Sequence, residues 1–378
     1  MNRIIHKILR PKQLLLFLFA FLILLAVGCA SQTGGNLDSD MSNITDSSHE
    51  DTNEETNLPE PDEGPRNPLT GLPCDETLLL QRPVSVMLNN ISAALPQVGI
   101  ADADVIYECE VEGGLTRLLA LYSEGSSVDV IGSVRSSREY YLDFAANHDA
   151  IYVHAGGSSE AYTQLQSRQV DNIDGVNGGA VTQYFYRDPE RLKTMRYEHT
   201  LMIKGESIAE AIAYKKIRTQ IDDGFESPLH FISADNTVTL DKGGEATEIT
   251  TTYSASQSAV FTYDTQEYKY LRSQNGKPHV DGATGEQLAF DNVIILFCPF
   301  TYTADSYNHI TIDTTGSGTG YLITRGKYLP ILWEKSDMDS PIAFSYDDGS
   351  TVYLNVGKTF ISVMDTADKK TVTFIKDT

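Results

Sequence analysis

The chain has 378 residues, and 29 Lys+Arg against 52 Asp+Glu give a formal net charge of −23. That balance excludes a protein that grips nucleic acid, which needs a basic footprint against the phosphates, and a folded surface that lies directly on anionic lipid. Four cysteines exclude a disulfide scaffold and a Cys-rich zinc module, whereas 41% hydrophobic residues suffice to bury a core over most of the length.

The first 28 residues read as a signal peptide. Arg3, Lys7, Arg10 and Lys12 form a basic start, and the apolar run Leu14 to Val27 is too short to span a bilayer easily but suits a leader core. The run ends Leu25-Ala26-Val27-Gly28-Cys29, which resembles the lipobox of bacterial lipoproteins, with Ala26 where Leu is usual. That resemblance implies cleavage before Cys29, lipidation (palmitate-type acylation) of Cys29, and a mature chain on the extracytoplasmic face of a bacterial cell membrane. Residues 29–66 then form an acidic tether. Its many Asp, Glu, Ser, Thr, Asn and Pro and few large apolar residues cannot offset the entropy of ordering. Of the remaining cysteines, Cys109 and Cys298 lie in apolar strand-like runs and Cys74 in a Pro/Gly-rich stretch, which favours buried thiols over a bridge.

Ordered structure is expected from Asn67 on, as an α+β fold: a mixed α/β region over 67–225 containing a βαβ unit, then a β-rich region of hairpins over 226–378. Patterning predicts strands at Val84–Asn89, Asp104–Glu112, Leu115–Ser123, Val128–Val134 and Ala150–His154, and helices at Ser137–His148, Ser158–Gln166 and Glu206–Thr219. Beyond Glu226 the predicted strands include Ser258–Tyr263, Tyr268–Ser273, Asn292–Phe297, Tyr321–Thr324 and Phe360–Met364. Turn pairs such as Asn275-Gly276 and Arg325-Gly326 punctuate them.

Three stretches carry candidate chemistry. In the first, Glu108, Glu110 and Glu112 alternate along one strand face, and Gly113-Gly114 reads as a two-residue hairpin that sets Glu110 opposite Arg117. Acids crowded on a partly covered face call for Arg117, further cations or a hard cation such as Ca²⁺ or Mg²⁺. In the second, Arg135-Ser136-Ser137-Arg138-Glu139 opens a helix, with Ser136 and Glu139 forming a capping box. Helix amides and two guanidinium groups would then favour an anion. The third, His154-Ala155-Gly156-Gly157-Ser158, again passes from strand to helix. Pairing Val128–Val134 with Ala150–His154 through the intervening helix would bring Arg135, Arg138, His154 and Ser158 to one sheet edge, where ligands bind in such folds. The spacing of a P-loop and the Gly-x-Ser-x-Gly elbow of serine hydrolases are both missing.

In order along the chain stand Asn67-Pro-Leu-Thr-Gly71, Arg82-Pro-Val84, Asn89-Asn90, Pro96-Gln97, Ala103-Asp-Val-Ile-Tyr-Glu108, Glu112-Gly-Gly-Leu-Thr-Arg117, Gly132-Ser-Val-Arg135-Ser-Ser-Arg138 and His154-Ala-Gly-Gly-Ser158. This series resembles the YerB-type bacterial lipoproteins. Trp333-Glu-Lys335 and Gly357-Lys-Thr-Phe-Ile361 resemble the family's C-terminal domain. The resemblance implies a two-domain architecture and an envelope location, without an established reaction.

The leading functional expectation is a lipoprotein, anchored in the membrane by its lipid, that holds an anionic envelope ligand (wall polymer, glycan or peptide) in a cleft of the N-terminal region. The expected ligand-binding residues are Glu108, Glu110, Glu112, Arg117, Arg135, Ser136, Arg138, His154, Gly156, Gly157 and Ser158. Two alternatives stand beside it: an envelope hydrolase or transferase using Glu108 and Glu112 with Arg135 and Arg138, and a protein–protein interaction module.

Overall fold

The computed structural model describes residues 64–303 and 309–375. The leader, Cys29 and almost all of the acidic tether lie outside the described residues.

Val84–Asn89 (β1), Val105–Val111 (β2) and Leu115–Tyr122 (β3) are strands buried almost throughout. Their near-continuous apolar runs fit strands covered on both faces. Ile151–His154 (β4) and Asn172–Asp174 (β5) follow, with helices Glu139–Ala146 (α1) before β4 and Ser159–Ser167 (α2) between β4 and β5. A third helix, Gly205–Lys215 (α3), buries Ile208 and Ala211 on one face.

In the second half Glu248–Ser254 (β6), Gln257–Asp264 (β7) and Lys269–Gln274 (β8) form a meander whose residues alternate between buried and more exposed. Asn292–Cys298 (β9), Gly316–Thr324 (β10), Lys327–Lys335 (β11), Thr359–Asp365 (β12) and Val372–Ile375 (β13) complete the long strands. Asn275-Gly276 and Arg325-Gly326, all four residues at positive φ, make the tight turns that their sequences predict.

One sheet runs through both halves, in the order β11-β10-β9-β12-β2-β3-β1-β4-β5, with the short strands Gly244–Glu245 and Ala343–Ser345 paired to β11. The seam between halves is the parallel pair β2–β12, from Val105↔Thr359 to Cys109↔Val363, and β12 is also parallel to β9. The boundary read at residues 225/226 therefore separates two stretches of sequence that share a single sheet. A second sheet, β8-β7-β6-β13 with short additions, packs through Ile249, Phe261 and Tyr270 on the face that carries Ile106, Leu118 and Val293. The opposite face, with Tyr107, Cys109, Leu119 and Ile294, is covered by Tyr140, Tyr141 and Phe144 of α1 and Leu165 of α2.

The fold is α+β, as expected, but its βαβ unit is β4-α2-β5, with Tyr152↔Asn172 and His154↔Asp174 in parallel register. The predicted strand Val128–Val134 shortens to Ile131–Gly132 and joins a separate three-stranded sheet with Leu201–Ile203 and Phe185–Arg187. The parallel partner of β4 on its inner side is β1. The two-residue hairpin is likewise corrected. Glu112, Gly113 and Gly114 together form the β2–β3 connection, with Gly113 and Gly114 at φ 72° and 69°. The last pair is Val111↔Leu115, so Arg117 faces Cys109 rather than Glu110. A loop longer by one residue shifts the register by one and moves every side chain of the returning strand to the other face.

Cys109 and Cys298 are buried, unbridged thiols, and burial pushes both well above the ordinary thiol range. Polar groups tie α1 to the second half. Arg168 joins Asp143 (2.6 Å) to Asp339 (2.7 Å), and Thr314 donates to Asp143 at 2.7 Å. The buried Lys335 donates to Asn147 Oδ1 at 2.8 Å and to Ser340 O. Beside it His148 Nε2 meets Tyr107 Oη at 2.9 Å. Burial, with the Lys335 charge behind it, holds the His148 pKa down at about 3. The folded value lies below the unfolded value, so the stability it confers is complete above about pH 6.5 and is lost as pH falls toward 3. Urea denaturation at pH 7 and pH 4.5 should show His148→Gln losing about 2 kcal/mol less than the parent over that interval. An equal loss in both would remove His148 from the acid response.

Candidate functional site

The predicted site residues do not gather in one place, and Glu108 and the arginines lie on opposite sides of the central sheet. Glu108 is fully buried beneath the second sheet. Its Oε2 pairs with Arg272 Nη2 at 2.6 Å, while Oε1 accepts from Thr116 Oγ1 (2.7 Å), Asn90 Nδ2 (2.9 Å) and Gln257 Nε2 (3.2 Å). Arg272 reaches Gln274 Oε1 (2.9 Å) and also donates to His279 Nδ1, and His279 Nε2 in turn meets Gln97 Oε1 at 2.7 Å. Gln97 donates to Asn89 O and Asn90 Oδ1, and Gln274 to Asn90 O. This bonding makes His279 an acceptor at Nδ1 and a donor at Nε2, which requires the neutral ring. Burial and the adjacent Arg272 guanidinium depress its pKa well below the ordinary range. The network joins Asn89, Asn90, Gln97, Glu108 and Thr116 of the first half to Gln257, Arg272, Gln274 and His279 of the second, with no open access for a ligand at Glu108.

The three acids do not converge. Glu110 accepts from Tyr302 Oη at 3.3 Å through its carboxylate and from Tyr140 Oη at 2.8 Å through its carbonyl. Glu112, in the connection, takes a two-pronged contact from Arg138, with Nη2–Oε2 at 2.8 Å and Nε to Oε1. Among the described residues no three His, Cys, Asp or Glu side chains gather as a set of metal ligands. Of the two ways to balance this row, arginines or a hard cation, the structure shows the first, with Arg272 against Glu108 and Arg138 against Glu112.

The second place is an arginine cluster. Arg135 is held by its backbone: its N–H donates to Met87 O (2.8 Å) at the end of β1, and its carbonyl accepts from Ala155 N (2.9 Å) beyond β4. Ser137 N donates to Gly156 O at 2.9 Å, and Ser137 and Gly157 form a parallel bridge. The two loops thus run side by side, which is the juxtaposition the sequence suggests, reached by strand-like pairing of loop backbone rather than by a shared βαβ unit. The expected capping box of Ser136 and Glu139 does not form, because α1 starts only at Glu139, so that Arg138 and not Ser136 holds the N-cap position, with no side-chain cap. Ser137 Oγ, next to it, accepts from Tyr152 Oη (2.9 Å).

Arg117, pointing away from Glu108, donates to Ser136 O at 2.7 Å and stands 4.0 Å from Glu112. Burial, then the neighbouring charges of Arg138 and Arg135, bring its pKa down to about 10. Arg135 Nη1 reaches Glu198 O at 3.5 Å, and its pKa is lowered by burial and by Arg138 and Arg187 against the raising effect of Glu198. Arg187 donates to Tyr197 O at 2.7 Å and lies over the Tyr197 ring at 3.9 Å. Arg187, Tyr197 and Glu198 are not among the residues that the sequence offered for this site. Nothing local marks them, since the segment 197–199 is delivered by a short 3₁₀ turn from distant sequence.

His154 does not join the cluster. It is buried at the end of β4 with Nδ1 against Gly156 O (2.9 Å), between the Tyr152 and Tyr162 rings, and burial lowers its pKa. Gly156 N donates to Asp174 Oδ1 at 2.9 Å, so it too is occupied within the fold. Gly157 sits in the loop pairing described above. Ser158 caps α2, its Oγ accepting from Ala161 N at 3.1 Å. A cavity of about 530 Å³ lies elsewhere, lined by Arg66, Leu79, Leu80, Phe231 and Tyr353, and none of the predicted residues borders it.

Residues 69–218 match the model described as "Protein of unknown function (DUF3048) N-terminal domain", and residues 249–361 match the corresponding C-terminal domain. The chain belongs to this two-domain family. It is 27% identical over 311 residues to YerB of Bacillus subtilis, named as a lipoprotein, covering 81% of this chain and 88% of that one. The crystal structure of Bacillus subtilis YerB superposes with a TM-score of 0.69 at 26% identity, covering 82% of this chain and 99% of that one. The two family domains share the central sheet through β2 and β12, and both contribute to the network around Glu108.

Arg272→Met should cost about 3–5 kcal/mol, because it leaves the Glu108 carboxylate buried without its cation. Adding Glu108→Gln should restore a substantial part, since a neutral amide keeps partners in Asn90 and Thr116. Denaturant titration of the two single variants and the double variant checks this, and strictly additive losses would mean that the pair is not coupled.

Proposed function

We propose that the chain is a membrane-anchored extracytoplasmic lipoprotein that holds an anionic envelope ligand (wall polymer, glycan or peptide) at Arg117, Arg135 and Arg138. The leader and Cys29 supply the anchor, residues 29–66 the spacer, and the shared sheet of the two family domains a rigid mount. The observation that carries this reading is the charge balance of the cluster. Arg117 and Arg138 share Glu112 as their near carboxylate, which is already committed to Arg138, and Arg135 draws on the exposed Glu198 and only weakly on Glu112. Arg117, 8% exposed, and Arg135 donate to main-chain carbonyls, which leave their positive charge only partly compensated, by Glu112 at 4.0 Å from Arg117 and by Glu198 near Arg135. An anion entering here removes repulsion among the arginines and gains charge-assisted hydrogen bonds. The hydrolase or transferase reading is not favoured, because Glu108 is sealed beneath the second sheet and Glu112 is held by Arg138.

Calorimetric titration of the detergent-solubilised full chain with inorganic phosphate and with a short glycerol phosphate oligomer tests the proposal. Arg135→Gln should weaken binding about tenfold or more, the scale of one charge-assisted hydrogen bond. Binding should also weaken as salt is raised. Absence of binding to either probe, or binding indifferent to Arg135→Gln, would overturn it.

A further inference from the structure

Beside the arginines stands an aromatic surface that anion binding alone does not use. Tyr197 is 64% exposed, the most exposed of the large apolar and aromatic side chains among the described residues. One face of its ring is covered by the Arg187 guanidinium at 3.9 Å, and Arg187 also bonds the Tyr197 carbonyl at 2.7 Å. The ring is therefore fixed in orientation rather than free to rotate, with its other face turned to solvent. The next residue is Glu198, whose carbonyl receives Arg135 at 3.5 Å, so the platform and the cationic cluster are joined by adjacent residues of one 3₁₀ turn. Leaving a large ring in water is ordinarily unfavourable, and clamping it there with a cation preorganises a flat apolar surface for contact.

We infer that the ligand is an acidic saccharide, whose sugar ring lies on the open face of Tyr197 while its carboxylate or phosphate meets Arg135 and its neighbours. This inference rests on the anion-binding reading above and names the class of ligand. A pyranose presents an apolar face of C–H groups that suits the electron-rich face of a tyrosine, and its ring substituent carries the charge about one residue's reach away. The overall charge of −23 argues for a compact anionic unit over a long polyanion. Beyond a screening length of about 8 Å the rest of the protein repels what the cluster attracts.

The test uses the detergent-solubilised full chain and four probes: inorganic phosphate, glucose 6-phosphate, a glucuronic-acid disaccharide and neutral maltotriose. The expected result is that glucose 6-phosphate or the uronate binds at least tenfold tighter than phosphate. Tyr197→Ala should abolish that advantage, weakening the acidic sugars at least fivefold more than phosphate, while Tyr197→Phe, which keeps the ring, should retain it. Arg135→Gln should weaken every acidic probe. If phosphate and sugar phosphate bind equally and Tyr197→Ala changes neither, the saccharide inference is overturned while the anion site stands. If maltotriose binds as well as the acidic sugars, the assignment of an acidic ligand is overturned. If no acidic probe binds, both readings fall together.

Discussion

The arrangement depends on one buried ion pair, Glu108 with Arg272. A carboxylate in the middle of a fully buried strand would be untenable alone. It is tolerated because a strand more than 160 residues later supplies a guanidinium at 2.6 Å, and Asn90, Thr116 and Gln257 fill its remaining lone pairs. Neither half of the sequence can bury its share of this network without the other. The same dependence appears in the backbone, where β12 from the end of the second half lies between β2 and β9. The two family domains are units of sequence, and in the folded state both contribute strands to one sheet.

Much of the scaffold is legible from patterning. β1 is read with its observed bounds, and α2, α3 and the second-half strands β7, β8, β9 and β12 fall within a few residues of expectation, because burial on one or two faces leaves a period or an apolar run, whereas the patterning leaves β6, β11 and β13 unpredicted. What sequence could not supply is register and destination. The connection Glu112-Gly113-Gly114 reads equally well as two residues or three, and that single residue decides whether Arg117 joins Glu110 or faces away from it. Likewise Val128–Val134 has the composition of a sheet strand, yet all but two of its residues lie outside any strand, since β3 and β4 already occupy both sides of β1.

The candidate site shows the same division. Arg135 and Arg138 are legible as a pair because they flank a helix start, and their neighbourhood with Gly156 and Ser158 was reached for an imperfect reason. Glu108, Glu110 and Glu112 look alike in sequence and differ entirely in the structure: one is sealed in the core, one contacts Tyr302, and one clamps Arg138. Alternation along a strand tells which residues share a face, but not what covers that face. Here the covering layer comes from β6–β8, whose sequence carries no mark of its partner.

A protein this acidic has no general need to concentrate arginines, and burial first, then the charges of the neighbouring guanidinium groups, depress the basicity of Arg117 and Arg135. Repulsion of this kind is tolerated only where the surrounding structure holds the groups in place. That hold is backbone-deep: Arg135 is pinned between β1 and the extension of β4, Arg138 caps α1 through its own main chain, and Arg117 is carried by the central strand β3. Each guanidinium is therefore delivered by a different element of the rigid sheet or its loops, so the cluster cannot relax by moving apart. A fixed, undercompensated set of donors discriminates between anions by geometry, and a flexible surface patch would not. The Glu108 network contributes to this without touching a ligand, since it locks β2 and β3 beneath the second sheet and so sets where Arg117 emerges on the other side.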